Sequence, residues 1–111
     1  MLSRLLSLAI LLPIALHAAD DATESKLIGE WNISFLSSVT RISFRRDHTC
    51  TIWRNRSGRT STEVGRWDLA GDRLTIRYKG GAFEVLVQQI TDKVLEVTIP
   101  EDTWAVWARA K

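Results

Sequence analysis

His48 and Cys50 are the two residues whose types and spacing come nearest to a reactive site. A histidine two residues before a cysteine could supply two metal ligands, or the base and nucleophile of a thiol enzyme. The pair is two ligands short of a metal site, and catalysis needs a third, orienting group that the sequence does not identify. We therefore expect no metal site, with His48 in a turn and Cys50 buried as a small apolar residue. A free thiol or an intermolecular disulfide is the alternative for this single cysteine.

Carboxylate pairs give no catalytic signal either. Glu101 and Asp102 fall in an expected turn, and Asp20 and Asp21 fall in the expected flexible N-terminus. The sequence has no Gly-rich phosphate loop, nucleophile elbow or metal-ligand cluster of recognised spacing. The expectation is a protein without enzymatic activity and without a cofactor.

Five tryptophans in 111 residues are the unusual feature of the composition. They are Trp31, Trp53, Trp67, Trp104 and Trp107. They could line a pocket for an apolar or sugar-like ligand, or fill the core of a domain without disulfides. Trp31 and Trp67 alternate in step with apolar neighbours, which favours the core. Trp104 and Trp107 are three residues apart, so on one regular strand they face opposite sides, and we expect at least one of them to be partly exposed.

Positive charge is concentrated in the middle of the chain, where residues 41–79 hold ten Lys or Arg and four acidic residues. Its densest part is a predicted loop with Arg54, Arg56 and Arg59, which could bind an anion or a partner protein. A solvated outer face of a sheet is the alternative. The formal net charge is only +2, and no nucleic-acid motif is present, so nucleic acid is not an expected partner.

Residues 1–19 have the features of a secretory signal, namely a basic start, an apolar run and small residues at Ala18 and Ala19. Cleavage near Ala18 or Ala19 would release a periplasmic or secreted protein. An uncleaved anchor is the alternative, but the apolar run spans about 18 Å as a helix, short of a bilayer core of about 30 Å. We expect a flexible polar N-terminus over 20–26 and one domain over 27–111, with no stable membrane span.

The domain reads as eight short strands. Apolar and polar residues alternate with period two from residue 28 onward, turn signals recur, and no helical stripe is evident. Short connections make successive strands antiparallel neighbours, and closure removes the exposed edges of an eight-strand meander. The prediction is an all-β, eight-stranded, antiparallel up-and-down barrel. A two-sheet sandwich is the alternative.

Four segments of the chain resemble those of small bacterial lipocalin-like domains. They are Leu27–Trp31, Ile42–Phe44, Asp47–Thr49 and Gly65–Ile76. The resemblance covers residues 27–109 and includes the Gly-x-Trp pattern on the first strand, which in lipocalins packs the Trp across the barrel floor. Lipocalins proper are longer and usually carry a helix beside the barrel, for which this chain lacks room. The resemblance implies a secreted binding barrel and leaves its ligand open.

The expected function is binding of a small apolar or amphipathic ligand inside the barrel by a monomer. The candidate interior residues are Trp31, Phe35, Phe44, Trp67, Tyr78, Phe83 and Trp104. The alternative is a protein-binding barrel, such as an inhibitor of a secreted hydrolase, that acts outside the cytoplasm. It would use the loops Arg54–Arg59 and Pro100–Thr103, together with an exposed Trp53 or Trp107.

Overall fold

A computed structural model describes residues 22–99 and 103–110 of the chain. The strands are β1 (Gly29–Asn32), β2 (Val39–Phe44), β3 (Thr49–Arg56), β4 (Arg59–Ala70), β5 (Arg73–Tyr78), β6 (Gly81–Ile90), β7 (Val94–Ile99) and β8 (Thr103–Arg109). Each strand pairs antiparallel with the next, and β1 pairs with β8 to close the barrel. This confirms the predicted eight-stranded up-and-down barrel. The predicted signal over residues 1–19 lies outside the described residues.

Alternation along each strand determines which side chains point into the barrel. On β4 the buried positions are Gly65, Trp67 and Leu69, and on β8 they are Ala105 and Trp107. The side chains that are almost completely buried fill the interior with three indole rings, one phenyl ring and branched aliphatic groups. They include Trp31, Trp67, Trp107, Phe44, Leu27, Ile42, Ile52, Leu74, Ile76, Leu95, Val85 and Val97. Cys50 is buried, as predicted.

Gly65 lets two strands approach closely in the wall of the barrel. It pairs with Cys50 on β3 and with Tyr78 on β5. A Cβ atom at this position would collide with the backbone carbonyl of Arg77 and lie 3.3 Å from the Cys50 sulfur. Only glycine therefore fits here without displacing the wall.

One end of the barrel, here called the closed end, is covered by a helix over residues 22–27. The buried side chain of Leu27 enters the barrel, and its carbonyl accepts a hydrogen bond of 2.9 Å from Trp31 Nε1. The Arg109 guanidinium lies 4.2 Å from the centre of the Trp31 ring and donates to the carbonyls of Lys26 and Ile28. Residues 22–26 were expected to be flexible and instead belong to this helix. Among the described residues, no helix has the length and apolar character needed to cross a membrane.

The opposite end is here called the mouth. In an up-and-down meander the connections alternate between the two ends. The β1–β2 loop (residues 33–38), the β3–β4 turn (57–58) and the β5–β6 turn (79–80) therefore meet at the mouth. The β2–β3, β4–β5 and β6–β7 turns lie at the closed end with the helix.

Candidate functional site

At the mouth, charged and half-buried aromatic side chains take the place of the fully buried apolar ones that fill the middle of the barrel. Arg54, Glu63, Tyr78 and Phe83 occupy positions in step with the buried residues of their strands. Tyr78 and Phe83 are half-buried, with ring centres 6.0 Å apart. The mouth thus combines an aromatic wall with a cation and a carboxylate.

Arg54 is the one charged side chain among the buried residues that the structure describes, with 6% of its surface exposed. Its Nε donates a 2.7 Å hydrogen bond to Glu63 Oε2, and its Nη1 donates a 3.3 Å bond to Ser38 Oγ. The guanidinium also lies 4.8 Å from the centre of the Tyr78 ring. Burial opposes the charge, but the hydrogen bonds to Glu63 and Tyr78 outweigh it and raise the pKa of Arg54. The arginine therefore stays charged inside the barrel.

The loop over residues 33–38 folds across the mouth. Leu36 is buried, and Trp107 Nε1 donates a 3.0 Å hydrogen bond to the Ser34 carbonyl. The Ser38 carbonyl accepts a 2.9 Å bond from the Asn55 amide, which ties the loop to β3. These contacts attach the loop to β8 and β3, so that it lies over part of the mouth.

Two clefts formed by described residues lie on the outside of the barrel. A cleft of about 310 Å³ runs beside Trp53, Thr60, Ser61 and Thr62. A smaller one of about 170 Å³ lies beside the helix of the closed end, next to Glu24 and Arg46. Neither cleft is lined by the buried residues that fill the middle of the barrel.

Five of the seven residues that were predicted to line the interior lie inside the barrel. Trp31, Phe44 and Trp67 are buried in the middle of the barrel, while Tyr78 and Phe83 face inward at the mouth.

Phe35 and Trp104 were predicted inside the barrel and are instead exposed, by 72% and 55% respectively. Strand β1 ends at Asn32, so the alternation that starts at Trp31 does not continue to Phe35, which sits in a loop with φ at 61°. On β8 the odd-numbered residues face inward. Trp104 therefore points outward, and Trp107, which the protein-binding alternative treated as exposed, is buried.

The predicted arginine loop is smaller than expected. Strand β3 continues through Arg56, strand β4 begins at Arg59, and only Ser57 and Gly58 form the turn. Arg54 is therefore a buried strand residue, contrary to its predicted place in a binding loop, while Arg56 and Arg59 are exposed beside the turn. The missed signal is the spacing of Arg54 after Cys50 and Ile52, which is the period of one strand face. The predicted loop at Pro100–Thr103 lies largely outside the described residues.

His48 connects the helix of the closed end to the barrel. Its φ of 70° places it in the predicted turn, and its Nε2 lies 2.7 Å from Glu24 Oε1. Its Nδ1 lies 3.4 Å from Asp68 Oδ1, and its ring stacks on Trp67 with centres 4.5 Å apart. The hydrogen bond to Glu24 is the main reason that the pKa of His48 is raised. The described residues contain no cluster of three or more His, Cys, Asp or Glu side chains arranged to hold a metal ion.

Because the pKa of His48 is raised in the folded protein, its protonation stabilises the fold. The contribution is complete below the unfolded pKa of about 6.5 and is lost as pH rises through the higher folded pKa. We expect the free energy of unfolding, measured by urea denaturation, to fall with pH in this window. Asparagine tolerates positive φ, so His48→Asn should remove this component without straining the turn. The same pH dependence in His48→Asn would assign the effect to another group.

Neither a protein-family model nor a curated protein matches this sequence. A lipocalin-like protein from Bacteroides uniformis ATCC 8492 has a similar structure, with a TM-score of 0.61 and 16% identity. The match covers 76% of this chain and 98% of that one. The fold is lipocalin-like. An uncharacterized protein from Bacteroides eggerthii DSM 20697 matches this lipocalin-like barrel with a TM-score of 0.58 and 16% identity, over 75% of this chain and 98% of that one.

Proposed function

We propose that this protein binds a small amphipathic molecule with an acidic head group at the mouth of its lipocalin-like barrel, without catalysing a reaction. The observation that carries the proposal is the buried, charged Arg54 beside the half-buried rings of Tyr78 and Phe83. A small number of polar groups in an otherwise apolar site is typical of pockets that fix a ligand's orientation.

The mouth has chemistry for both parts of such a ligand. Phe83 and Ile99 are half-buried apolar residues that pack against the core and can contact an apolar tail. The guanidinium has five N–H groups, and its hydrogen bonds to Glu63, Ser38 and Tyr78 use three of them. An acidic oxygen can replace the Ser38 hydroxyl at 3.3 Å if the loop over residues 33–38 lifts. Glu63 would stay bound to Nε and keep the arginine in place.

The probe for this proposal is anilinonaphthalene sulfonate, an amphipathic anion, followed by its displacement with laurate. We expect Phe83→Ala to weaken binding of both probes by about tenfold, which corresponds to about 1.4 kcal/mol. Trp104→Ala is the control, because it removes an exposed aromatic ring from the outer face of the barrel. Near-ultraviolet circular dichroism must show native packing, since the dye also binds loosely packed states. Equal affinities in the two variants, or no binding to the native protein, would contradict the proposal.

Protein binding is the second candidate, and Phe35 favours it. Its ring is 72% exposed at the loop over the mouth, and its φ of 61° is rare for a bulky residue. The next residue, Leu36, is buried and anchors the loop to the barrel. An exposed aromatic ring on an anchored loop is typical of a binding hot spot. If this candidate is correct, Phe35→Ala abolishes recovery of a partner from an extracytoplasmic fraction and leaves laurate binding unchanged.

The site of action is proposed to be the periplasm or the extracellular space, as the signal-like sequence of residues 1–19 indicates. The intact mass of the protein purified from the envelope or medium should correspond to cleavage after Ala18 or Ala19. Recovery of the uncleaved chain from membranes would favour the anchor instead.

A further inference from the structure

Within the part of the chain that the structure describes, residues 103–107 of β8 are paired on one side only. Strand β7 pairs with β8 along its length, from Thr103 to Ala108. Strand β1 pairs with β8 only at Arg109 and Ala108. The chain after Asn32 then turns over the mouth, and no strand among the described residues pairs with the other side of residues 103–107.

Two hydrogen bonds show which peptide groups face this open side. The Arg109 amide donates a 2.8 Å hydrogen bond to the backbone carbonyl of Lys93 on the β7 side. The Ala110 amide donates a 2.8 Å hydrogen bond to the backbone carbonyl of Glu30 on the β1 side. Successive residues of a strand point their peptide groups to alternate sides. The N–H and C=O groups of Trp104 and Val106 therefore face the open side.

The open edge is also apolar on its outer face. The side chains of Trp104 and Val106 are 55% and 49% exposed. Residues 103–108 contain no charged side chain and no proline, which are the features that commonly protect an edge strand. The part of β4 that extends past β5 is protected in this way, since it begins at Arg59 and carries Glu63.

We propose that this edge pairs with the same edge of a second copy of the chain, antiparallel and about a two-fold axis. With Ala105 opposite its own copy, each Trp104 stands opposite a Val106, and both residues present their peptide groups to each other. This register forms four backbone hydrogen bonds and lets the exposed indole and valine side chains pack across the axis. The contact is independent of ligand binding at the mouth, and it departs from the expected monomer.

A second copy is the occupant that best fits the charges of this surface. Two copies of this strand can pair without repulsion between like charges, because residues 103–108 are uncharged and the formal net charge of the chain is only +2. A contact of about five residues per chain is smaller than a standard stable interface, which buries about 1,600 Å² in total. We therefore expect a weak, reversible dimer in the micromolar range or above.

The test is sedimentation of the purified protein over a concentration series, together with hydrogen exchange of individual amides. The wild type should dimerise with rising concentration, and the amide protons of Trp104 and Val106 should become protected in parallel. Val106→Lys should weaken dimerisation by at least about tenfold, because a lysine on the edge disfavours pairing. Val64→Lys is the matched control on another exposed valine and should dimerise like the wild type.

A second variant, Val106→Pro, removes the amide that faces the open side and spares the bonds from β8 to β7. It should also be monomeric, and circular dichroism should show that both Val106 variants keep the barrel. The proposal is overturned by a wild type that stays monomeric at the highest concentration, or by a dimer that survives both substitutions. Protection of the two amides at every concentration would also overturn it, since another segment or partner would then cover the edge.

Discussion

Replacing Trp31 with alanine is expected to lower the free energy of unfolding by about 3–5 kcal/mol. The Trp31 side chain is completely buried, and its indole N–H is bonded to the Leu27 carbonyl. Its loss leaves a cavity at the closed end and takes the stacking partner from Arg109. Because Arg109 also binds the carbonyls of Lys26 and Ile28, the helix over residues 22–27 should loosen as well. Urea denaturation at fixed pH measures the loss.

Trp104→Ala provides the matched comparison, since it makes the same chemical change on the outside of the barrel. We expect it to change the free energy of unfolding by less than about 0.5 kcal/mol, provided that the protein is dilute enough to be monomeric. A similar loss in the two variants would show that burial in the barrel does not determine the contribution of these tryptophans.

The barrel could be predicted from the sequence because its signal is repeated in every strand. Each strand supplies its own period-two pattern, and short turns leave few choices of neighbour. The predictions that placed Phe35 and Trp104 inside the barrel were wrong for local reasons. Alternation predicts a side only while the strand lasts, and it does not reveal that β1 ends at Asn32. The spacing of Trp104 and Trp107 showed that they face opposite sides without showing which faces inward.

Arg54 and Glu63 were open to prediction but were missed. Arg54 follows Cys50 and Ile52 at the period of the inner face, and Glu63 precedes Gly65 and Trp67 in the same way. The density of arginines instead favoured a binding loop that contained Arg54, Arg56 and Arg59. Two opposite charges at inward positions of adjacent strands form an ion pair, which is the condition under which a charge can be buried.

The link between His48 and the helix could not be predicted from the sequence. Glu24 and His48 are 24 residues apart, and their contact depends on a helix of fewer than two turns. Such a short segment has no periodicity that distinguishes it from a polar linker. Only the folded barrel brings its carboxylate to the histidine in the β2–β3 turn.

Removing the acidic partner of the buried arginine should be among the most damaging single changes at the mouth. In Glu63→Ala the guanidinium of Arg54 remains buried without its carboxylate, and we expect a loss of about 3 kcal/mol in the free energy of unfolding. The estimate lies at the low end for buried pairs because the Glu63 side chain is 32% exposed. Urea denaturation measures it, and a loss below about 1 kcal/mol would mean that the pair acts like a surface ion pair.

The double variant Arg54→Met with Glu63→Leu separates the stability of the mouth from its proposed binding function. It removes both charges and fills the space with apolar side chains, so most of the lost stability should return. It also removes the cation that would hold an acidic head group, so binding of anilinonaphthalene sulfonate and laurate should be weaker than in the wild type. A stable double variant with wild-type affinity would show that Arg54 serves the fold alone. Lost affinity in a barrel of restored stability would assign the head-group site to Arg54.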